Sequence, residues 1–405
     1  MDGGLILYTL CLSGGGFRAT LFHLGVIRRL IFLDVFKRVN RINSVSGGSI
    51  LAGVVMREVS LNGDFKSVKD FDKRITIPII KFIQSSPKKQ IYKIIPLQRS
   101  PQRFVKVLDK SLFNNMYFME LTDKIDWCCY ATSLDSTIAW KYSKGGVGDE
   151  TIGYYKASKA DRISIGVTAS VCYVPLFRPM ELSIGNPQSK IFLVDGGIFD
   201  NLGVDSVLKS INRDNNQVIV SDASAIIEHW ESKKPTKFMK LNRTINIAMD
   251  QNKKLRHRLI RHKILNNNRG VLIEVTKPIE TYVDKDQLAK LSVQLRRKVP
   301  YYSKVDDEIQ KNLGEIRTDL NAFHDLEIQL LIWNGMIKID AALKLWKSGA
   351  ISKEHWSDVP KLKLGEYERE EVLKILKMGD DMKVFESHKE LHHGKPLQDR
   401  LDMIL

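Results

Sequence analysis

The chain repeats one pattern near its start: a short apolar run, a cluster of small residues, then apolar positions at helical spacing. "LILYTLCL" reads as a buried strand closing at "SGGG". "FRATLFHLGVIRRLIF" follows, with Phe17, Leu21, Leu24 and Ile27 on one helical face and Leu30 and Ile31 continuing it. Residues 42 to 45 predict a second strand, "SVSGGS" a second turn and "SILAGVVM" a second helix. Further along, "IDWCCYATSLDS" and "NQVIVSDAS" predict strands with turns, and "ISIGVTASVCYVPLFRP" a strand or helix closed by Pro175 and Pro179. "SKIFLVDGGIFDNLGVDSVL" predicts strand, glycine turn and helix, and residues 245–265 and 307–346 read as helices. This order predicts an α/β fold: a mostly parallel central sheet flanked by helices, with a helical C-terminal region and sites at the carboxyl ends of strands.

The 405 residues, 43% of them apolar, suffice for a large core. Cys11, Cys128, Cys129 and Cys172 show no CxxC spacing and read as reduced thiols. No apolar run reaches the roughly 20 residues of a membrane span. The start "MDGGLILYTLCLS" has no basic leader region, so a cytoplasmic setting is expected. Charge changes the picture more. Residues 1–345 hold 52 Lys/Arg against 35 Asp/Glu, a net of +17, whereas the remainder is near neutral. A basic body points to an anionic partner: a membrane surface, an acidic substrate or nucleic acid.

Two small-residue turns carry the candidate chemistry. Ser46 in "SVSGGS" lies between strand and helix and is followed by Gly47 and Gly48, the layout of a nucleophile elbow. Ser44 stands where the usual G-x-S-x-G pattern has glycine. Gly14, Gly15 and Gly16 end a strand and open a helix, where free backbone N–H groups suit an anion or a developing oxyanion. The same run, with Ala19, fits the dinucleotide fingerprint G-x-G-x-x-G/A. That reading wants an acid at the end of the second strand; Ser44 to Ser46 stand there instead, Asp34 comes too early, and no P-loop lysine is present. The glycines therefore read as an oxyanion loop facing Ser46, with Arg18 adding charge or bracing the loop. Of the nine histidines, none follows an apolar strand; His23 sits on the first helix and reads as packing. Asp195 in "IFLVDGG" does follow one, and a carboxylate can accept a serine proton directly. D-G is also ordinary turn chemistry.

Taken together, "GGGFR" at 14–18, "SVSGG" at 44–48 and "DGG" at 195–197 resemble the patatin-like phospholipases. "YATSLDS", "TASVCYVPLFRP", "VSDASA" and "IRTDLNAFHDLEIQLLIWNGMIKIDAAL" extend the likeness, toward a bacterial-type branch, over roughly residues 8 to 345. The resemblance implies Ser46 as nucleophile and Asp195 as base. It further implies Gly14, Gly15 and Gly16 as oxyanion donors, Arg18 as support, and Ser44, Gly47 and Gly48 as elbow. It implies a phospholipase A type lipid acyl hydrolase working through an acyl-enzyme, with no cofactor and no metal.

The expected organisation is a catalytic core over 1–225, a helical extension over 226–346 packed on it, and a charged tail over 347–405. Within the core, residues 73–110 carry ten Lys/Arg against Asp109 alone, among Ile, Phe and Tyr. They read either as a lid facing an anionic membrane or as helices covering the sheet. "NKKLRHRLIRHKI" at 252–264 continues a stripe of Ile245, Ala248, Asn252, Leu255 and Leu259, read as a helix packed by that stripe with its cations outward. The expected partners are a phospholipid or other lipid ester and, peripherally, an anionic membrane; nucleic acid is disfavoured because no aromatics interleave the basic block. The alternative is a ligand- or partner-gated regulatory protein on the same scaffold with little constitutive activity.

Overall fold

Strand β1 (Tyr8–Leu12), every residue of it buried, is the centre of registry. The computed structural model describes residues 6–85, 87, 100–174, 176–184, 189–225, 235–278, 307–346, 355, 358, 360, 362 and 368–381. β1 is flanked in parallel by β2 (Val39–Val45) and by β9 (Gln217–Asp222); β10 (Gly270–Glu274) extends the parallel block beyond β9. On the other side β3 (Asp126–Ser133) pairs in parallel with β2, and β4 (Ala139–Ser143), β5 (Gly146–Asp149) and β6 (Gly153–Tyr155) follow as an antiparallel wing. β7 (Met180–Ile184) and β8 (Ser189–Asp195) form a hairpin whose second strand also joins β3.

The junction at β3 decides where the chemistry can sit. β4 takes one edge of β3, over Cys129 to Thr132. β2 takes the opposite edge from Asp126 to Tyr130, and β8 continues that same edge from Ala131 to Ser133, running antiparallel. β2 and β8 therefore approach each other end to end. Val45 lies opposite Tyr130 and Asp195 opposite Ala131, neighbouring positions on one strand. The carboxyl ends of both strands meet at a single point.

α1 (Gly16–Phe32) and α2 (Gly47–Asn62) leave the carboxyl ends of β1 and β2, as the strand–turn–helix pattern predicts. α1 is buried on nearly every side because the Asp325–Trp346 helix lies against it. Glycines permit that approach: a Cβ on Gly25 would collide with the Ile332 carbonyl, and one on Gly335 with the Phe22 carbonyl. Around the crossing, Arg29 pairs with buried Asp340 at 2.6 Å, and Lys344 holds the other oxygen of that carboxylate at 2.8 Å. Lys338, also buried, donates to the carbonyls of Glu274, Val275 and Lys277 and so closes the end of β10.

One expectation needs revision, and one pair of alternatives is narrowed. The 226–346 extension is not wholly helical. Gly270–Glu274, an apolar run with Val and Ile, adds a strand to the sheet, so a boundary at 225 would cut the sheet between β9 and β10. In the 73–110 segment the described flanks turn their apolar side chains inward: Ile79, Ile80, Phe82 and Ile83 on one helix, Phe104, Val105 and Leu108 on another, are buried. Residues 88–99, the middle of the expected lid, lie outside the described residues.

The glycine crossing makes a prediction. Gly335→Val sets a side chain against backbone that cannot yield, and overpacking of this kind costs about 1–3 kcal/mol. A lower urea midpoint at unchanged slope is expected, and an unchanged midpoint would mean the helices do not cross this closely.

Candidate active site

β2 ends at Val45 and α2 begins at Gly47, leaving Ser46 alone in the turn with φ 50° and ψ −119°. A non-glycine residue there is strained, at a cost of roughly 1–3 kcal/mol, and the strain points the side chain out of the turn. The surroundings hold it there. A Cβ on Gly47 would strike the Gly16 carbonyl, and one on Gly48 the carbonyls of Leu12 and Ser13, so only glycine lets α2 pass this close to the first turn. Ser44 needs no such freedom; it is an extended strand residue.

Asp195, the last residue of β8, reaches Ser46 across the end-to-end junction. Ser46 Oγ donates to Asp195 Oδ2 at 2.8 Å with no histidine between them. The Gly197 N–H donates to the other oxygen at 2.7 Å, and the Asp195 N–H is held by the Cys172 carbonyl at 2.9 Å. Ser46 is 7% exposed and Asp195 4%. Burial pushes the Asp195 carboxyl up to about 6, against the opposing pull of the Gly197 and Ser46 hydrogen bonds.

The glycine loop divides its tasks differently from the sequence expectation. Gly14 is not available as an oxyanion donor: its N–H donates to the Asn201 carbonyl at 2.9 Å. Gly15, at φ 140°, and Gly16, at φ 57°, line the same cavity as Ser46, and their N–H groups have no hydrogen-bond partner among the described residues. Arg18, which also lines the cavity, braces the loop. Fully buried, it donates to the carbonyls of Ala223, Gly314 and Ile316 at 2.7–3.2 Å and ties the glycine loop to two neighbouring segments. His23 likewise has a packing role. Its Nε2 lies 3.0 Å from the Ser13 carbonyl and its Nδ1 2.8 Å from the Ser221 hydroxyl, and burial lowers it to about 4. It is neutral, so the nitrogen facing the carbonyl donates and the other accepts.

Sequence reasoning missed two contributors. Ser170, on the Ile163–Val171 helix, accepts the Ser46 N–H at 2.8 Å and donates to the Tyr130 carbonyl at 2.6 Å. Its one proton being spent there, Ser49, 3.0 Å away, must donate to it, and Ser44 must in turn donate to Ser49 at 3.0 Å. Trp127 Nε1 completes the chain by donating to Ser44 at 2.9 Å. The serine in place of the elbow glycine is thus one link of a directed hydroxyl chain that fixes the elbow. Asn201 is the second. Its carbonyl takes the Gly14 N–H, and its Nδ2 donates to Ser224 at 2.7 Å, joining the aspartate turn to the glycine loop. The signal for Ser170 was present as hydroxyl residues inside an otherwise apolar helix, "ISIGVTASV".

Ser46 and Asp195 open on a cavity of about 530 Å³. One wall is Val171, Tyr173, Leu176 and Phe177; the loop over 314–320 forms another. The third is the Lys237–Ile260 helix, through Asn242, Asn246, Met249 and Lys253. No histidine lines it among the described residues. Of the helix's expected stripe, Asn252 and Leu259 face the body, whereas Ala248 and Leu255 are exposed. The helix docks mainly by a polar face: the Tyr173 hydroxyl lies 2.7 and 2.6 Å from the side-chain amides of Asn242 and Asn246 and donates to one of them, Lys253 donates to the Ala225 carbonyl, and Arg256 pairs with Asp200. His257 lies between Asp222 at 2.9 Å and Glu274 at 3.5 Å. Those three side chains have donor spacing suited to a cation, but Lys277, on Glu274 at 2.5 Å, brings positive charge to the same cluster. Burial alone would raise Asp222; the His257 hydrogen bond and nearby Lys253 hold it well below the usual carboxylate range.

Comparison with known proteins bears on the whole arrangement. No curated protein matches the chain. Among solved structures it is similar to human GIVD cytosolic phospholipase A2 at 12% identity and a TM-score of 0.37, covering 62% of this chain and 46% of that one. The chain thus spans about half the length of that protein. It is also similar to VipD from Legionella pneumophila at 12% identity and a TM-score of 0.27, covering 98% of this chain and 93% of that one. Residues 10–208 match the model of the family described as patatin-like phospholipase, a span running from β1 past β8 that contains the glycine loop, Ser46 and Asp195. Over that span the chain carries a domain of the patatin-like phospholipase type.

Proposed function

We propose that the protein is a lipid acyl hydrolase of the phospholipase A type, working through a Ser46–Asp195 dyad and an acyl-enzyme. The observation that carries the reading is the direct 2.8 Å hydrogen bond from Ser46 to Asp195 at the inner end of a partly apolar cavity. The match to the patatin-like family supports a lipid ester as substrate. The same reading makes the protein a peripheral visitor to membranes; none of the described helices is long and apolar enough to cross one.

In this reaction Ser46 Oγ attacks the ester carbonyl carbon while its proton passes to Asp195 Oδ2. The carbonyl oxygen becomes an oxyanion stabilised by the N–H groups of Gly15 and Gly16, each donor worth roughly 10²–10³-fold in rate. Collapse expels the alcohol, which takes the proton back from Asp195, and leaves the acyl group on Ser46. Water then gives its proton to Asp195 and attacks the acyl carbon, and Ser46 recovers its proton as the fatty acid leaves. Asp195 thus serves as base toward Ser46 and then water, and in its protonated form as acid toward the leaving alcohol and then Ser46.

Two predictions follow from this assignment. Ser46→Ala and Asp195→Asn should each lower fatty-acid release from phospholipid vesicles by roughly 10⁴-fold or more, as for loss of a nucleophile or its base elsewhere, with the thermal midpoint not lowered. Release that persists in Ser46→Ala would place the nucleophile elsewhere. The acid limb gives the second. Asp195 must be ionised to accept a proton, and its value is raised to about 6. Activity on a soluble short-chain ester should therefore fall about tenfold per pH unit below about 6 and level off above it. A limb near the ordinary carboxylate value would show that the site is not desolvated in the working enzyme.

A further inference from the structure

The Lys237–Ile260 helix is turned inside out for a surface helix. Its body-facing side is Asn242, Asn246, Asn252, Arg256 and His257, whereas Phe238, Met239, Leu241, Ile247 and Leu255 are between 41% and 53% exposed. A helix that merely covers the sheet buries its apolar side and solvates its polar one. This one buries Ile260 and part of Leu259 only at its far end, docks elsewhere mainly by polar contacts, and leaves Leu241, Ile247 and Leu255 exposed on its outer side.

Charge selects what meets that face. The helix carries seven Lys/Arg against Asp250 alone. Of these, Lys237, Lys240, Lys254 and Arg258 are exposed, Lys254 being paired with Asp250. Leu241 and the exposed cations Lys237 and Lys240 interleave within its first two turns. Apolar side chains among lysines suit the boundary layer of an anionic bilayer, where the former reach the acyl region and the latter the phosphates. Position agrees with charge. Asn242, Asn246 and Met249, which line the cavity above Ser46, stand on the same helix as Leu241 and Ile247.

We propose that the outer face of the Lys237–Ile260 helix, led by Leu241, Ile247 and Leu255 with Lys237 and Lys240, is the surface by which the protein seats on anionic lipid. In that seating one wall of the Ser46 cavity rests against the bilayer, so a lipid reaches the dyad by crossing a single helix end. The inference rests on the lipid-hydrolase reading for its purpose, but its geometry is independent of the dyad.

The test is partition onto vesicles of phosphatidylcholine alone and of phosphatidylcholine with phosphatidylglycerol, by flotation. Three proteins are compared: wild type, Leu241→Ser/Ile247→Ser and Lys237→Glu/Lys240→Glu. All four positions are exposed and outside the cavity lining. Wild type should float with anionic vesicles. Each double variant should lose roughly tenfold or more of that partition, since single surface cations are worth about fivefold each and charge reversal more. Hydrolysis of a soluble short-chain ester should be unchanged in both variants, while release from anionic vesicles falls with the partition. Wild-type partition that both variants retain overturns the proposal. So does a wild type that ignores anionic vesicles, in which case the face fits a protein partner. A wild type that floats yet hydrolyses neither substrate leaves this surface standing and sinks the dyad reading instead.

Discussion

The fold turns on β3 being shared. One edge of this strand carries β2 and then β8, pointed at each other, and the two chain ends that meet there are Ser46 and Asp195. Neither residue is brought to the other by a flexible loop. Asp195 ends its strand and Ser46 directly follows the last residue of its own, and the register of two ladders fixes their separation to hydrogen-bonding distance. Backbone pairing is a stiff way to place side chains, and rigid elements hold a site more closely than loops do.

Around that point the structure accepts local costs. Ser46 is held in a strained conformation. Asp195 is buried, and although two hydrogen bonds reach its carboxylate, burial raises it to about 6. Its folded value lies above its unfolded one, so its contribution to stability is fully present below the unfolded value. That contribution is lost as pH rises through about 6. At neutral pH this carboxylate therefore opposes folding. The hydroxyl chain through Ser44, Ser49 and Ser170, the Arg18 brace and the glycine crossing of α1 with the Asp325–Trp346 helix supply the opposing rigidity.

Much of this was legible in the sequence, because strand, small-residue turn and helix is a local pattern. "LCLSGGGFR" and "NSVSGGSI" each mark a turn whose glycines the structure requires at Gly15, Gly16, Gly47 and Gly48. What depends on pairing was not legible. Nothing local in "KIFLVD" says that β8 runs antiparallel on the edge left by β2. Nothing in "SGGG" says that Gly14 spends its N–H on Asn201 while its neighbours do not. The Lys237–Ile260 helix shows the limit most clearly. Its apolar periodicity was read as a core-facing stripe, whereas asparagine, histidine and arginine contacts to the body set its rotation. Periodicity finds a face but does not say which way the face points.

The central claim is that Asp195 activates Ser46 by direct contact. The most direct measurement is to treat wild type and Asp195→Asn with a fluorophosphonate and locate the adduct by peptide mass spectrometry while timing its formation. The account predicts one adduct, on Ser46, forming at least a hundredfold more slowly in Asp195→Asn, in keeping with the loss of a positioned base. An adduct on Ser49 or Ser170, or one that forms on Ser46 equally fast without the carboxylate, would contradict it.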